Sequence, residues 1–255
     1  MKFLIINLIF AKERRKYIVN LCNKYGLDFE IIEAVNGREL SLDEYENIVH
    51  QNKMKFYLKR ELGLGEVGCA LSHKKCYKKI ISENLPYAVI LEDDAIFDKK
   101  LLDFLEAYRE FPEDLELLLL GHQRQVYNDD GYKINSPYSR RFCKKIQGIK
   151  IRRLVGRGNG TYGYFITQKG ATKLLEKLNK IYLPIDAMTS NENFVNVYAI
   201  FPTLIDTNSR FMLETSTQDN IDLSKKRSKF QKVLKKWYIF FKFFFVSFKN
   251  LRNYN

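Results

Sequence analysis

The sequence predicts an α/β protein built on a mostly parallel central sheet. Three observations carry this. Short apolar runs rich in β-branched and large residues recur at 3–9, 29–35, 87–91 and 115–120. Amphipathic stretches with helical period lie between them. Strand and helix alternating at this spacing make βαβ units, whose strands run parallel.

The elements follow in chain order. Phe3 to Ile9 reads as a first, buried strand. Ala11 to Tyr25 sets Tyr17, Val19, Leu21 and Cys22 among charges, the pattern of a half-buried helix, with Gly26 as its C-terminal cap. Phe29 to Val35 is a second strand, closed by the turn residues Asn36-Gly37. Ser41 to Arg60 is polar, helical or irregular. Gly63-Leu64-Gly65-Glu66-Val67-Gly68 reads as a glycine-punctuated turn, and Cys69 to Asn84 as the helix after it, stopped by Pro86. Tyr87 to Leu91 is the clearest buried strand, and it runs straight into Glu92-Asp93-Asp94. A helix around Lys100 to Arg109 leads to another strand at Leu115 to Leu120. Residues 122–157 are loop-rich and basic, with short β-like pieces. Tyr162 to Thr167 reads as a strand, Lys169 to Leu178 as a helix, and Tyr198 to Ile205 holds a late strand interrupted by Pro202.

Composition bounds the function. In 255 residues, 45% are hydrophobic and 14% aromatic, enough for a full core and far from a disordered composition. The net charge is +13, from 43 Lys and Arg against 30 Asp and Glu. Ten of those basic residues lie between Ser224 and Asn255, which hold no acid, so the body of the chain is close to neutral. The charge therefore does not point to nucleic acid, and no nucleic-acid module is recognisable. Cys22, Cys69, Cys76 and Cys143 form no CxxC pair, and His50, His73 and His122 show no ligand spacing among themselves. The expectation is reduced, intracellular thiols and no zinc site. The first ten residues superficially resemble a signal peptide. The apolar run is short, carries Asn7 and leads into Lys12-Glu13-Arg14-Arg15-Lys16, so a buried strand is the better reading. No segment reaches the roughly 20 apolar residues that span a bilayer.

Three consecutive acids at the carboxyl end of a buried strand point to chemistry. Ligands of open α/β sheets bind at those ends. Adjacent carboxylates repel and raise one another's pKa, a conflict that a divalent cation removes. Mg²⁺ and Mn²⁺ take oxygen ligands and share them with substrate phosphates. The competing reading is a solvated turn in which Asp93 or Asp94 caps the next helix.

Several motifs then fall together in order. Ile6-Asn7-Leu8 with Arg14-Arg15 comes first, then Ala34-Val35-Asn36-Gly37 and Gly65-Glu66-Val67-Gly68-Cys69-Ala70-Leu71-Ser72-His73. Leu91-Glu92-Asp93-Asp94 and Gly160-Thr161-Tyr162-Gly163-Tyr164 follow, with Pro184-Ile185-Asp186 as a weaker last motif. With these motifs the chain resembles glycosyltransferase family 25, which contains bacterial lipooligosaccharide galactosyltransferases and collagen galactosyltransferases. The resemblance covers residues 3 to about 210. It implies a GT-A type nucleotide-binding sandwich over residues 1–223, a UDP-sugar donor, most often UDP-galactose, and inverting transfer to a glycan acceptor.

Within that resemblance Asp94 is the first choice for the metal ligand and Asp93 the next, with Mn²⁺ ahead of Mg²⁺. Glu92 either faces the nucleotide or orients a neighbour. Asn7 and Leu8 close the first strand where base and ribose would sit, although a polar residue closing a strand is a serious competitor. Of Arg14 and Arg15, which diverge by about 100° on a helix, one at most faces a diphosphate. Ser72 and His73 are placed at a helix start suited to anions, or pack locally. Glu66 joins that pocket or caps the helix. Thr161 and Tyr162 line the donor, unless Tyr162 is a core aromatic. Asp186 is the candidate general base and Glu192 the reserve. Asp206 lies where a late third metal ligand would fall. Alternative functions are a UDP-glucose or UDP-hexosamine transferase of this fold, and a non-catalytic glycan- or membrane-binding module.

Residues 224–255 form a second region, an amphipathic helical tail. Val233, Trp237, Phe240, Phe241, Phe244 and Phe248 recur at helical spacing, interrupted by Lys235, Lys236, Lys242 and Lys249. That pattern fits a helix lying on an anionic membrane surface, with aromatic anchors and lysines at the headgroups. It places the protein on the inner face of the cytoplasmic membrane. Packing on the catalytic domain or on a second subunit competes, as does nucleic-acid binding through basic residues and stacking aromatics, and the oligomeric state is open.

Overall fold

A computed structural model describes residues 1–123, 144–154 and 158–214, and beyond them Trp237 and Phe241. The chain runs β1 (Lys2–Asn7), α1 (Lys12–Lys24), β2 (Phe29–Glu33), α2 (Leu42–Ile48), α3 (Gln51–Leu58), α4 (Leu64–Ser82) and β3 (Tyr87–Glu92). It continues with β4 (Ala95–Ile96), α5 (Lys99–Glu106), β5 (Leu117–Gln123), β6 (Lys144–Ile146), β7 (Ile149–Arg153) and β8 (Asn159–Thr167). The last elements are α6 (Gln168–Lys177), α7 (Ile185–Thr189), β9 (Val197–Phe201) and β10 (Asp206–Thr207).

One 8-stranded sheet, in the order β2-β1-β3-β8-β5-β9-β7-β6, forms the centre, and β4 and β10 make a separate pair. β1 is parallel to β2 and β3, and β5 is parallel to β9. β8 runs antiparallel between β3 and β5, and β7 is antiparallel to both β9 and β6. Most strands thus share one direction, as expected, but β8 and β7 oppose it. The reversal of β8 matters for function. Leu91 pairs with Gly163, so the first residues of β8 lie beside the last residues of β3.

Side chains alternate between two cores on the two faces of the sheet, as the period of 2 requires. Leu4, Ile6, Ala88, Ile90, Leu117 and Leu119 face one core, closed by α2, α3, α4, α6 and α7. Phe3, Ile5, Val89, Leu91, Leu118 and Leu120 face the other, closed by α1 and α5. Coverage of both faces explains why these strands read as continuous apolar runs.

The boundary that matters most here departs from the sequence reading. α4 starts at Leu64, not at Cys69. Gly63 N–H donates to Glu66 Oε2 at 2.8 Å, which caps the helix and turns the glycine-rich segment into its first turns. Gly68 is needed there for space. A Cβ on Gly68 would sit 2.6 Å from Gly37 N and 2.7 Å from Val35 O. The motifs Val35-Asn36-Gly37 and Gly65-Glu66-Val67-Gly68 are therefore two halves of one backbone contact. Ser72 completes it: its Oγ accepts from Val35 N–H at 2.9 Å and donates to Gly68 O at 2.7 Å.

The tail predicted over 224–255 lies outside the described residues, apart from Trp237 and Phe241. These two are helical and exposed (58% and 52%), with stacked rings 6.0 Å apart. No described helix is long and apolar enough to cross a membrane.

Candidate active site

β1 and β3 are in parallel register, Ile6 opposite Glu92, so Asn7 and the acidic triplet leave the sheet at the same end. Asn7 Nδ2 donates to Asp93 Oδ2 at 2.7 Å and to Ala11 O at 3.3 Å. Arg14 faces inwards from the first turn of α1, while Arg15 is exposed. Arg14 donates to Asp93 Oδ1 at 3.3 Å and to Phe211 O at 3.0 Å, and stands 3.9 Å from Asp94 Oδ2. Both oxygens of Asp93 are thus engaged by the protein.

Asp94 differs. Its Oδ1 is buried without a hydrogen-bond partner, and so is Asn7 Oδ1. A desolvated carboxylate oxygen facing no donor is costly, and a cation or a ligand donor relieves that cost. The donor set at this end, hard oxygens beside a sheet terminus, suits Mg²⁺ or Mn²⁺. Burial raises the pKa of Asp94 and Asp93, the neighbouring Asp93 charge raises Asp94 further, and Arg14 opposes both shifts.

β8 supplies the next wall. Thr161, buried, donates its hydroxyl to Glu92 Oε1. Burial, and then the Asp94 charge, push Glu92 up to about 7. Tyr162 stands among the acids. Burial raises its phenol, as do Glu92, Asp206, Asp94 and Asp186 in turn. Gly160 beside it has φ +84°, and a Cβ there would meet the Tyr162 ring at 2.8 Å. Asp206, exposed, lies on β10 opposite Ile96 of β4, so it joins the same end of the sheet. Asp186, in the first turn of α7, accepts from Ala187 N–H at 2.6 Å and from Gly160 N–H at 3.4 Å. Glu192, half-buried, lies in the turn after α7. Leu8, half-buried, follows Asn7 and accepts from Ala11 N–H at 2.9 Å.

Of the alternatives open for Ser72, His73 and Glu66, the local contacts are the ones seen. Ser72 and His73 sit well inside α4 rather than at its start, so no helix N-terminus lies beside them. Ser72 is consumed in holding α4 to residues 35–37. Glu66 is likewise taken, by its cap and by a bidentate pair with Arg60 at 2.7 Å on each oxygen. Arg60 was not anticipated. Its hydrogen bonds to Glu66, and to a lesser degree the Asp186 charge, raise its pKa, which places the guanidinium within electrostatic reach of the site.

His73 is fully buried. Its Nδ1 pairs with Tyr164 Oη at 2.7 Å, and Tyr164 pairs with Tyr77 at 2.8 Å. Burial drives its pKa down to about 3, so the ring is neutral at pH 7. Cys69, His73 and Glu92 present ligand atoms within 4.8 Å of one another, a set that could hold a metal ion. The expectation of no such set came from comparing cysteines with cysteines and histidines with histidines. The readable signal was mixed: Cys69 and His73 are four residues apart, on one face of a helix.

Residues 1–189 match the family model described as glycosyltransferase family 25 (LPS biosynthesis protein). The chain is 31% identical over 210 residues to a glycosyltransferase 25 family member of Aedes aegypti, covering 75% of this chain and 32% of that protein. It is 27% identical over 177 residues to procollagen galactosyltransferase 2 of Homo sapiens, covering 67% of this chain and 26% of that protein. It is 25% identical over 241 residues to lipooligosaccharide biosynthesis protein lic2B of Haemophilus influenzae, covering 88% of this chain and 86% of that protein. The chain thus spans about a third of the length of the first of these relatives.

Proposed function

The chain belongs to glycosyltransferase family 25, and from that premise we propose that it transfers galactose from UDP-galactose, with inversion, onto a lipooligosaccharide or related surface glycan. One observation carries the donor site: Asp94 keeps a buried carboxylate oxygen without a partner while its neighbour Asp93 is fully engaged. In this reading the fold is GT-A type. The donor lies across the carboxyl ends of β1 and β3, against Asn7, Leu8, Thr161 and Tyr162.

Asp94 would hold a divalent cation, Mn²⁺ before Mg²⁺, with Asp206 as the candidate further ligand and Asp93 fixed behind. The cation would offset the charge that develops on the departing diphosphate. The protein's own groups do the rest. Arg14 and Asn7 keep Asp93 in place. Asp186, anchored by two backbone amides, takes the proton of the acceptor hydroxyl as that oxygen bonds to the anomeric carbon. The bond from that carbon to the diphosphate breaks on the opposite face, which inverts the centre. Tyr162, whose hydroxyl burial keeps protonated, offers its ring and O–H to the sugar.

The galactose and glycan assignment is supported by the names of the human and Haemophilus relatives. The stacked, exposed Trp237 and Phe241 support a tail that rests on an anionic membrane. The test is calorimetric titration of UDP with Mn²⁺ and with chelator, followed by a donor screen. Wild type should bind UDP in a metal-dependent manner and Asp94→Ala should lose that dependence. Equal affinity under all conditions rejects the metal role, and turnover of another donor in preference to UDP-galactose rejects the sugar.

A further inference from the structure

We propose that Cys69, His73 and Glu92 form a second cation site, selective for a borderline-soft divalent ion of the zinc class and distinct from the oxygen site at Asp94. The three residues come from two elements that the fold presses together. Cys69 and His73 project from successive turns of α4, and Glu92 ends β3 beneath them. Their ligand atoms lie within 4.8 Å of one another.

A second, independent observation points to a ligand. His73 is 0% exposed, and its Nε2 has no hydrogen-bond partner. Its Nδ1 is taken by Tyr164, which is held in turn by Tyr77. A metal-bound imidazole has this arrangement: one nitrogen is fixed by an outer partner, and the other is left to coordinate. A buried imidazole nitrogen facing nothing is otherwise an uncompensated loss.

The donor chemistry selects the ion. Thiolate and imidazole favour Zn²⁺ over Mg²⁺ or Mn²⁺, which prefer all-oxygen shells. Three protein ligands are also what an open zinc site takes, with its fourth position left to water or substrate. Charge closes as well. Binding Zn²⁺ would release the thiol proton of Cys69 to solvent, and the resulting thiolate and the Glu92 carboxylate would together balance the ion. A site set largely inside the protein requires that balance. Bound there, the ion pins the end of β3 to α4, directly behind the donor site.

Cobalt makes the site visible. The full chain, stripped with chelator and titrated with Co²⁺, should show a thiolate-to-cobalt charge-transfer band that Zn²⁺ abolishes and excess Mg²⁺ does not. Cys69→Ser should lose the band, and Glu92→Gln should weaken Zn²⁺ binding about 10-fold or more, both with the circular dichroism of wild type. Asp94→Asn should keep the band while losing metal-dependent UDP binding, which separates this site from the donor reading. A folded wild type without the band overturns the proposal, as does a band that survives in Cys69→Ser.

Discussion

Asn7 donates to Asp93 across 2.7 Å at the mouth of two adjacent parallel strands, and the bond decides which acid is left open. Asp93 spends Oδ2 on Asn7 and Oδ1 on Arg14. The unpartnered oxygen therefore falls to Asp94. Asn7→Ala should strand a buried acceptor and cost about 1–3 kcal/mol of stability. It should weaken Mn²⁺-dependent UDP binding less than Asp94→Asn does, because it loosens a support rather than removing a ligand. Thermal melts and UDP titrations on both variants check this. An Asn7→Ala protein as defective in binding as Asp94→Asn would give Asn7 a direct role at the metal.

The contact between Gly37 and Gly68 yields a prediction without chemistry. A methyl at residue 68 would press on backbone atoms of Gly37 and Val35, which cannot rotate away. Gly68→Ala should therefore destabilise by about 2 kcal/mol or more despite Ala being the better helix former. In a chain of this size that lowers the melting temperature by about 4–8 °C. A Gly68→Ala protein as stable as wild type shows that the two segments can separate freely.

Acid stability should depend on two buried groups that act with opposite sign. His73 has its pKa lowered from 6.5 to about 3, by burial. The unfolded chain binds that proton more readily, so stability falls as pH drops below 6.5. Glu92 is raised from 4.5 to about 7, first by burial and then by Asp94. There the folded chain holds the proton, so stability falls as pH rises from 4.5 through 7, and Asp93 and Asp94 shift in the same direction. Each of the two contributes about 2 kcal/mol over the window from pH 5 to 6.5. Glu92→Gln should therefore melt higher as pH rises across that window, and His73→Phe should melt lower. Melting curves at several pH values read the two slopes, and slopes of the same sign would refute the assignment.

The sheet was legible in the sequence because its strands are covered on both faces. Burial on both sides turns each strand into an unbroken apolar run such as Tyr87 to Leu91. The start of α4 was not legible, because Gly65 and Gly68 carry the signature of a turn. For Gly68 the cause is the approach of residues 35–37, which lie some thirty positions away. The same distance hid the partners within the site. Glu66 looked available until Arg60 and Gly63 claimed it. Glu92 was set apart from the two aspartates, but its partner, Thr161 on a reversed strand, was out of sight. Residue types announced the acids. Only the fold could say that Asp93 is held, Asp94 is open and Glu92 faces α4.

The last prediction concerns residues 224–255, whose ten basic side chains account for most of the net charge of +13. Trp237 and Phe241, four apart on a helix, present stacked and exposed rings. Exposed aromatics beside lysines sit well at a headgroup boundary, where the ring loses water and the ammonium meets phosphate. Each lysine near an anionic surface contributes about 1 kcal/mol, screened by salt. Truncation after Leu223 should therefore release the protein from vesicles containing anionic lipid. The full chain should bind such vesicles less tightly as salt rises and should ignore neutral ones. Donor hydrolysis should survive the truncation, since every acid of the site precedes residue 224. Cosedimentation of both forms decides the matter. Unchanged binding of the truncated chain would place the membrane contact on the body of the protein, and lost hydrolysis would make the tail part of the site.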